Sequence, residues 1–176
     1  MQILKTQRLT LRPFKITDAV DMFEYASSDQ VGPNAGWKPH DSITDSEKII
    51  AEFIAKEEVW AIECLENNKV IGSFGLHTDV HRPKINSKAV GYVLHPDYHN
   101  QGYMQEALKG VIDYAFNELQ VELLVGYVFD FNKASKKVLE SCGFKLEGTL
   151  RKAVLLFDEK QLDLCCYSLL SDEVIK

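Results

Sequence analysis

Between residues 89 and 119 the hydrophobic period changes, and that change narrows the folds open to this chain more than any other feature. AVGYVL (89–94) is a short apolar run rich in β-branched and aromatic residues, as a buried strand is. HPDYHNQGY follows without a period. MQEALKGVIDYAFNEL then repeats apolar residues at helical spacing: Met104, Ala107, Leu108, Val111, Ile112, Ala115 and Leu119. Strand, polar loop and helix make the unit of α/β architecture, and ligands collect where the strand ends and the helix begins. A helix start offers N–H groups with no intrahelical acceptor and a partial positive charge, a combination suited to phosphate. Gly102 lets the backbone come close to an anion. The loop lacks the Lys-Ser/Thr of a P-loop, Tyr103 standing next to Gly102, and it does not match G-x-G-x-x-G. From these residues alone, a phosphate cradle and a plain connection both stay open.

The rest of the chain continues the alternation. LTLRPF (9–14) has the period of a strand, and Thr17-Asp18 caps a predicted helix carrying Ala19, Val20, Met22, Phe23 and Ala26. GPNAGWKPH (32–40) reads as loop around Trp37. Asp45-Ser46-Glu47 opens a second helix that turns Ile49, Ile50, Phe53 and Ile54 inward. WAIECL (60–65) and KVIGSFGLH (69–77) flank the turn-forming Glu66-Asn67-Asn68, which predicts a hairpin. LLVGYVF (123–129) is a strand, followed by a helix from Lys133 to about Ser141, capped by Asn132 and stopped by Gly143. Residues 145–170 close as a strand pair turning at Asp158-Glu159-Lys160. The predicted order is β α α β β β α β α β β in a single domain over residues 1–176, without repeats or linkers.

Composition removes other classes. With 45% hydrophobic and 26% charged residues, the chain has the make-up of a soluble globular domain rather than a disordered one. No apolar run approaches the roughly 18 residues of a spanning helix, so no membrane partner is expected. MQILKTQRLTLRPF has no apolar h-region, so no signal peptide is expected. A net charge of −6 argues against a nucleic-acid partner and permits a basic one. Cys64, Cys142, Cys165 and Cys166 form no C-x-x-C, and His77/His81 and His95/His99 lie at strand ends and in loops. The expectation is a reduced, cytoplasmic protein without a metal.

Five segments, in order, are together more specific than any alone: TQRLTLRPF, VIGSFGL, GYVLHPDYHNQGYMQEAL, Asn132-Lys-Ala-Ser135 followed by Cys142-Gly143-Phe144, and LEGTLRK with LDLCCYSLL. Through nearly its whole length the chain resembles the GNAT acetyltransferases, in particular the ribosomal-protein N-terminal acetyltransferase branch. The resemblance implies a mixed α/β (α+β) acyl-CoA N-acyltransferase fold, its central twisted sheet mostly antiparallel and flanked by helices. It implies acetyl-CoA as cosubstrate and a peptide N-terminus, as of a ribosomal protein, or a small amine as acceptor. It assigns the CoA pyrophosphate to His99, Asn100, Gln101, Gly102, Tyr103 and Met104, and further cofactor contacts to Val93, Leu94, Asn132 and Lys137.

The departures are specific. In the family's Gln/Arg-x-x-Gly-x-Gly/Ala loop the marked positions are His99, Gly102 and Met104, of which only Gly102 matches. Met104 either crowds the ligand or points into the core, as its place in the helical stripe suggests. Leu139 stands where many members have a proton-donating tyrosine, and the resemblance to the N-terminal acetyltransferase branch, where the serine of Asn-x-x-Ser serves as a substitute, implies Ser135 as the candidate acid. Ala89 stands where some relatives have a glutamate; His77, ending its strand toward the expected cleft, is the candidate base, and Glu63 on the neighbouring strand is the alternative base and a candidate acceptor contact. Trp37 either lines the acceptor pocket or anchors its loop. A CoA-binding module without transfer activity is the alternative that Met104, Leu139 and Ala89 favour. A homodimer stays possible.

Overall fold

Short, largely apolar runs make the central strands Val59–Cys64, Val70–Thr78 and Leu123–Phe129, buried nearly throughout, and the computed structural model describes residues 1–174. The strands are β1 (Leu4–Lys5), β2 (Leu9–Pro13), β3 (Val59–Cys64), β4 (Val70–Thr78), β5 (Ser87–Leu94), β6 (Leu123–Phe129), β7 (Lys145–Leu155) and β8 (Gln161–Leu170). The helices are α1 (Ala19–Ala26), α2 (Gly32–Ala35), α3 (Ile43–Lys56), α4 (Tyr103–Asn117) and α5 (Lys133–Ser141). The eight strands form one mixed sheet in the order β1-β2-β3-β4-β5-β6-β8-β7, mostly antiparallel, and helices flank it. The chain divides into two compact units, Met1–Gly75 with Tyr92–Gly110, and Leu76–Gly91 with Val111–Lys176.

In the first unit β1, β2, β3 and the first part of β4 pair antiparallel, from Leu4↔Leu11 through Leu9↔Cys64 to Val59↔Gly75. Phe14, Met22, Tyr25, Ala26, Ile50, Val59 and Val70 form its buried core, and Trp37, Ile49 and Phe53 pack on it. Each buried Phe, Met, Ile or Val among them contributes about 1.5–3 kcal/mol by leaving water. Arg12 bridges two carboxylates at the end of β2. Its Nη1 donates to Asp18 Oδ2 at 2.8 Å, its Nη2 to Asp18 Oδ1 at 3.0 Å and its Nε to Glu63 Oε2 at 2.6 Å.

In the second unit β5 pairs parallel with β6 from Ser87↔Leu123 to Val90↔Gly126. The antiparallel β6–β8 ladder runs from Leu123↔Leu170 to Phe129↔Leu164, and β7 lies outside β8 with two register shifts. Leu139 of α5 sits over Gly126, where an added Cβ would come within 2.6 Å of it. Asp79, buried beyond the end of β4, accepts from Tyr127 Oη at 2.9 Å, from the His81 amide at 3.0 Å and from Ser87 Oγ at 3.2 Å. Burial opposes ionisation there, but these hydrogen bonds and Arg82 prevail and hold the carboxyl below its ordinary range. Among the described residues no helix is long and apolar enough to cross a membrane.

Several expectations need correction. α1 begins at Ala19 because Ile16–Asp18 is a 3₁₀ turn, whose Asp18 carboxylate accepts from the Lys15 amide at 2.8 Å. The predicted 32–40 loop contains α2, with proline in its first turn and a left-handed Gly36 at its end. α3 starts at Ile43, capped by Ser42. Ile54 and Leu119 are 42% and 40% exposed, and Leu119 lies beyond the end of α4. The two-residue β1 was not foreseen, being too short for a period to show.

Candidate active site

The loop ahead of α4 is held by its own unit from several directions. Its start is tied to β4 by the His95 amide, which donates to the Ile71 carbonyl at 2.7 Å. His99 Nε2 lies 3.0 Å from the Leu94 carbonyl, and since a carbonyl only accepts, Nε2 carries the proton. Gln101 Nε2 donates back to the Asp97 carbonyl at 2.7 Å, and Asn67 Nδ2 to Tyr98 Oη at 2.9 Å. Asn100 (φ 59°) and Gly102 (φ 81°) adopt left-handed conformations that turn the chain into the helix, whose first bond runs from the Glu106 amide to the Gly102 carbonyl at 3.0 Å. Only glycine adopts this backbone without steric cost. A Cβ built on Gly102 meets one described atom beyond its chain neighbours within 4 Å, Arg8 Nη2 at 3.5 Å. The backbone at Gly102 is therefore open to a ligand.

Met104 is 6% exposed and packs into the core together with Ala107 and Leu108. Its side chain is thus buried rather than extended over the loop surface, as its place in the helical stripe suggested. Val93 and Leu94 end β5. The Val93 carbonyl would lie 2.3 Å from a Cβ on Gly72, so only glycine fits at that point of β4. The sequence marks this approach only by a glycine inside a strand.

Two further contributors were not read from the sequence. Glu106, one turn into α4, accepts from Thr6 Oγ1 at 2.6 Å, from the Arg8 amide at 2.7 Å and from Arg8 Nε at 2.7 Å. Arg8 Nη1 donates to the Gln101 carbonyl at 3.1 Å, and the guanidinium stacks 4.1 Å from the centroid of the Tyr103 ring. Burial pushes the Glu106 carboxyl up, but the bonds from Thr6 and Arg8 outweigh it, and the group titrates below its ordinary value.

In the second unit, α5 begins where the sequence placed it. Asn132 Oδ1 accepts from the Ser135 amide at 3.1 Å, and a left-handed Gly143 follows the helix. Ser135 is half-buried in the first turn, Lys137 is exposed, and Leu139 is 1% exposed in the core, so it takes no part in proton transfer. His77, half-buried on β4, packs beside Gly91, whose Cβ position lies 3.9 Å from the imidazole. The remaining candidates belong to the first unit and are engaged there. Glu63 is bound by Arg12. Trp37 packs on the core, on His40 at 5.3 Å between ring centroids, and over Gly32, whose Cβ would come within 2.8 Å of the indole. Among the described residues no group of three or more His, Cys, Asp or Glu side chains gathers as a metal ion needs.

Comparison with known proteins accords with this geometry. An uncharacterized N-acetyltransferase of Bacillus subtilis, YoaA, is 30% identical over 155 residues, covering 85% of this chain and 86% of its own. A GNAT-family acetyltransferase from Bacillus anthracis superposes with a TM-score of 0.89 at 23% identity, over 98% of this chain and 100% of that one. A ribosomal-protein-S5-alanine acetyltransferase from Vibrio fischeri gives 0.76 at 21% identity, over 100% of each. Other neighbours have been solved holding CoA-disulfide or acetyl-CoA. Residues 8–145 match the acetyltransferase (GNAT) domain, and this chain belongs to that family of acetyl-CoA-dependent acetyltransferases.

Proposed function

We propose that residues 1–176 form one cytoplasmic N-acetyltransferase domain, which moves an acetyl group from acetyl-CoA to the α-amine of a protein N-terminus in a ternary complex. The observation that carries the reading is the 95–104 loop. Its glycine is open, its hydrophobic residue at the helix start is turned inward, and its backbone is fixed ahead of a helix N-terminus. Gly102 and the amides around it fit a diphosphate. Asn132 and Lys137 of α5 are assigned further contacts with the cofactor by the family pattern.

Bound acetyl-CoA supplies a thioester, whose carbonyl carbon accepts the amine lone pair as the C–S bond breaks. The amide groups of Val93 and Leu94 donate to the carbonyl oxygen as negative charge develops there. His77 takes the proton that the amine nitrogen must lose and passes it to solvent, and the Ser135 hydroxyl gives one to the departing sulfur and regains one from solvent. Trp37 and Glu63 are the acceptor contacts of this reading, Glu63 being held by Arg12.

An α-amine suits a site with so modest a base. With a pKa of about 8 against about 10.4 for lysine, roughly a tenth of it is neutral at pH 7, a few hundred times more than of a lysine side chain. The net charge of −6 favours cationic acceptors. The Vibrio fischeri neighbour acts, by its name, on a ribosomal protein, and the acceptor class we carry over is a protein N-terminus.

A thermal shift with acetyl-CoA, followed by thiol release against N-terminal peptides, their N-blocked forms and small amines, tests the reading. Stabilisation with release on free N-termini is expected. Release on small amines alone would overturn the acceptor class, and the absence of any shift would overturn the loop assignment.

A further inference from the structure

The loop that receives the diphosphate lacks the Gln/Arg of the family pattern, His99 standing in its place with its Nε2 proton already given to the Leu94 carbonyl. Another cation is present. Arg8, from the turn between β1 and β2, reaches the loop with each end of its guanidinium differently employed. Nε is held by Glu106 at 2.7 Å, Nη1 by the Gln101 carbonyl at 3.1 Å, and the plane by the Tyr103 ring. Nη2 is the atom that stands over Gly102, 3.5 Å from the position a Cβ would take. The side chain is 39% exposed, so its charge is open to the loop surface, while Glu106, 17% exposed, is locked beneath it by Thr6 and the Arg8 amide.

We propose that Arg8 is the cationic side chain of the diphosphate site, binding a phosphate oxygen through Nη2 while Nε and Nη1 hold the loop and the first turn of α4 in register. The inference rests on the reading of the loop as a CoA diphosphate cradle. Its physical logic is that of a forked donor. A guanidinium presents several N–H groups in a fixed plane, so two can be committed to Glu106 and Gln101 and the third direction is thereby determined. A lysine at this place would carry the charge without the plane. The Gln101 carbonyl, which would repel a phosphate, is neutralised by the same group that attracts it.

The test compares acetyl-CoA with S-acetylpantetheine, which carries the same thioester without the diphosphate. The quantity read is the ratio of kcat/KM for the two donors. In Arg8→Gln the preference for acetyl-CoA should shrink about 10- to 100-fold, the weight of one or two charge-assisted hydrogen bonds, through KM rather than kcat. Arg8→Lys should recover part of it. Glu106→Gln, which keeps the cation but loosens its direction, should fall between. If both donors suffer equally, or if the ratio is unchanged, Arg8 has no direct part in recognising the diphosphate and the proposal is overturned. If the unaltered protein shows no preference for acetyl-CoA, the loop reading itself fails, a result separate from the Arg8 outcome. Should Arg8→Gln not fold, Arg8→Lys and Glu106→Gln carry the same comparison.

Discussion

The N-termini of α4 and α5 both follow a strand, and the chain finishes them in opposite ways. At α5 the Asn132 side chain accepts from the Ser135 amide, so the helix closes part of its own first turn and offers side chains to its surroundings. Ahead of α4 the side chains serve carbonyls instead. His99 donates to Leu94, Gln101 to Asp97 and Arg8 to Gln101, while left-handed Asn100 and Gly102 turn the backbone toward the helix. A helix start whose neighbouring carbonyls are occupied by donors keeps its positive end for an anion; one whose amide is taken by a cap does not. On the function proposed above, the same backbone polarity would give a binding surface in one place and a platform for side chains in the other.

The largest expected effect tests the open start. Gly102→Trp fills the space over the loop and forces a bulky residue to φ 81°. CoA affinity should fall by on the order of 100-fold or more, with the loss of several amide contacts. The strain itself costs about 1–2 kcal/mol, which lowers Tm by a few degrees. A binding titration that leaves the affinity intact would place the diphosphate elsewhere. At α5 the corresponding change is Ser135→Ala. If its hydroxyl protonates the leaving sulfur, kcat should drop by on the order of 100-fold while the Kd for acetyl-CoA holds. Full kcat in a folded Ser135→Ala protein would remove the serine from the mechanism.

The two helix starts also mark how far the sequence could be read. α5 was legible to the residue, because cap, stop and amphipathic stripe all act within one helix length: Asn132 at one end, left-handed Gly143 at the other. β6 was legible for the same reason, its apolar run being bounded on both sides. The strand order, with β8 between β6 and β7, was not visible, since register among distant strands leaves no local mark. The clamp on α4 was equally hidden: Arg8 and Glu106 are 98 residues apart. Glu63 was read as facing the acceptor, and nothing along the chain signalled that Arg12 binds it and Asp18 at once. Met104 went the other way, since its place in the helical stripe already foretold its burial. Local chemistry is written in order along the chain, whereas partners brought together by topology are not.

A pH comparison sharpens the difference at the α4 end. The Glu106 carboxyl titrates below its ordinary value of 4.5, so its ionised form is favoured in the folded protein. The stability it confers is complete above that value and is lost as the pH falls through 4.5 toward the lower folded-state value. Other carboxylates are depressed too, so the informative quantity is the gap between the unaltered protein and Glu106→Gln. Urea unfolding should show that gap constant from about pH 7 to about 5.5 and shrinking by about pH 3.5. A gap that persists at low pH would mean that Glu106 acts by shape rather than charge.

The smallest expected effect on stability separates two roles at α5. Asn132→Ala removes the cap and should cost about 1 kcal/mol. Asn132→Asp keeps the accepting oxygen and sets a negative charge at a helix N-terminus, so folding should be unchanged or slightly favoured. The same substitution replaces the Nδ2 donor with a charge that repels phosphate. If Asn132 also contacts the cofactor, Asp should raise the KM for acetyl-CoA several-fold while Tm stands still, whereas Ala lowers Tm. An aspartate variant equal to the unaltered protein in both would leave Asn132 as a cap alone, and α5 would then contribute to the cofactor only through residues beyond its first.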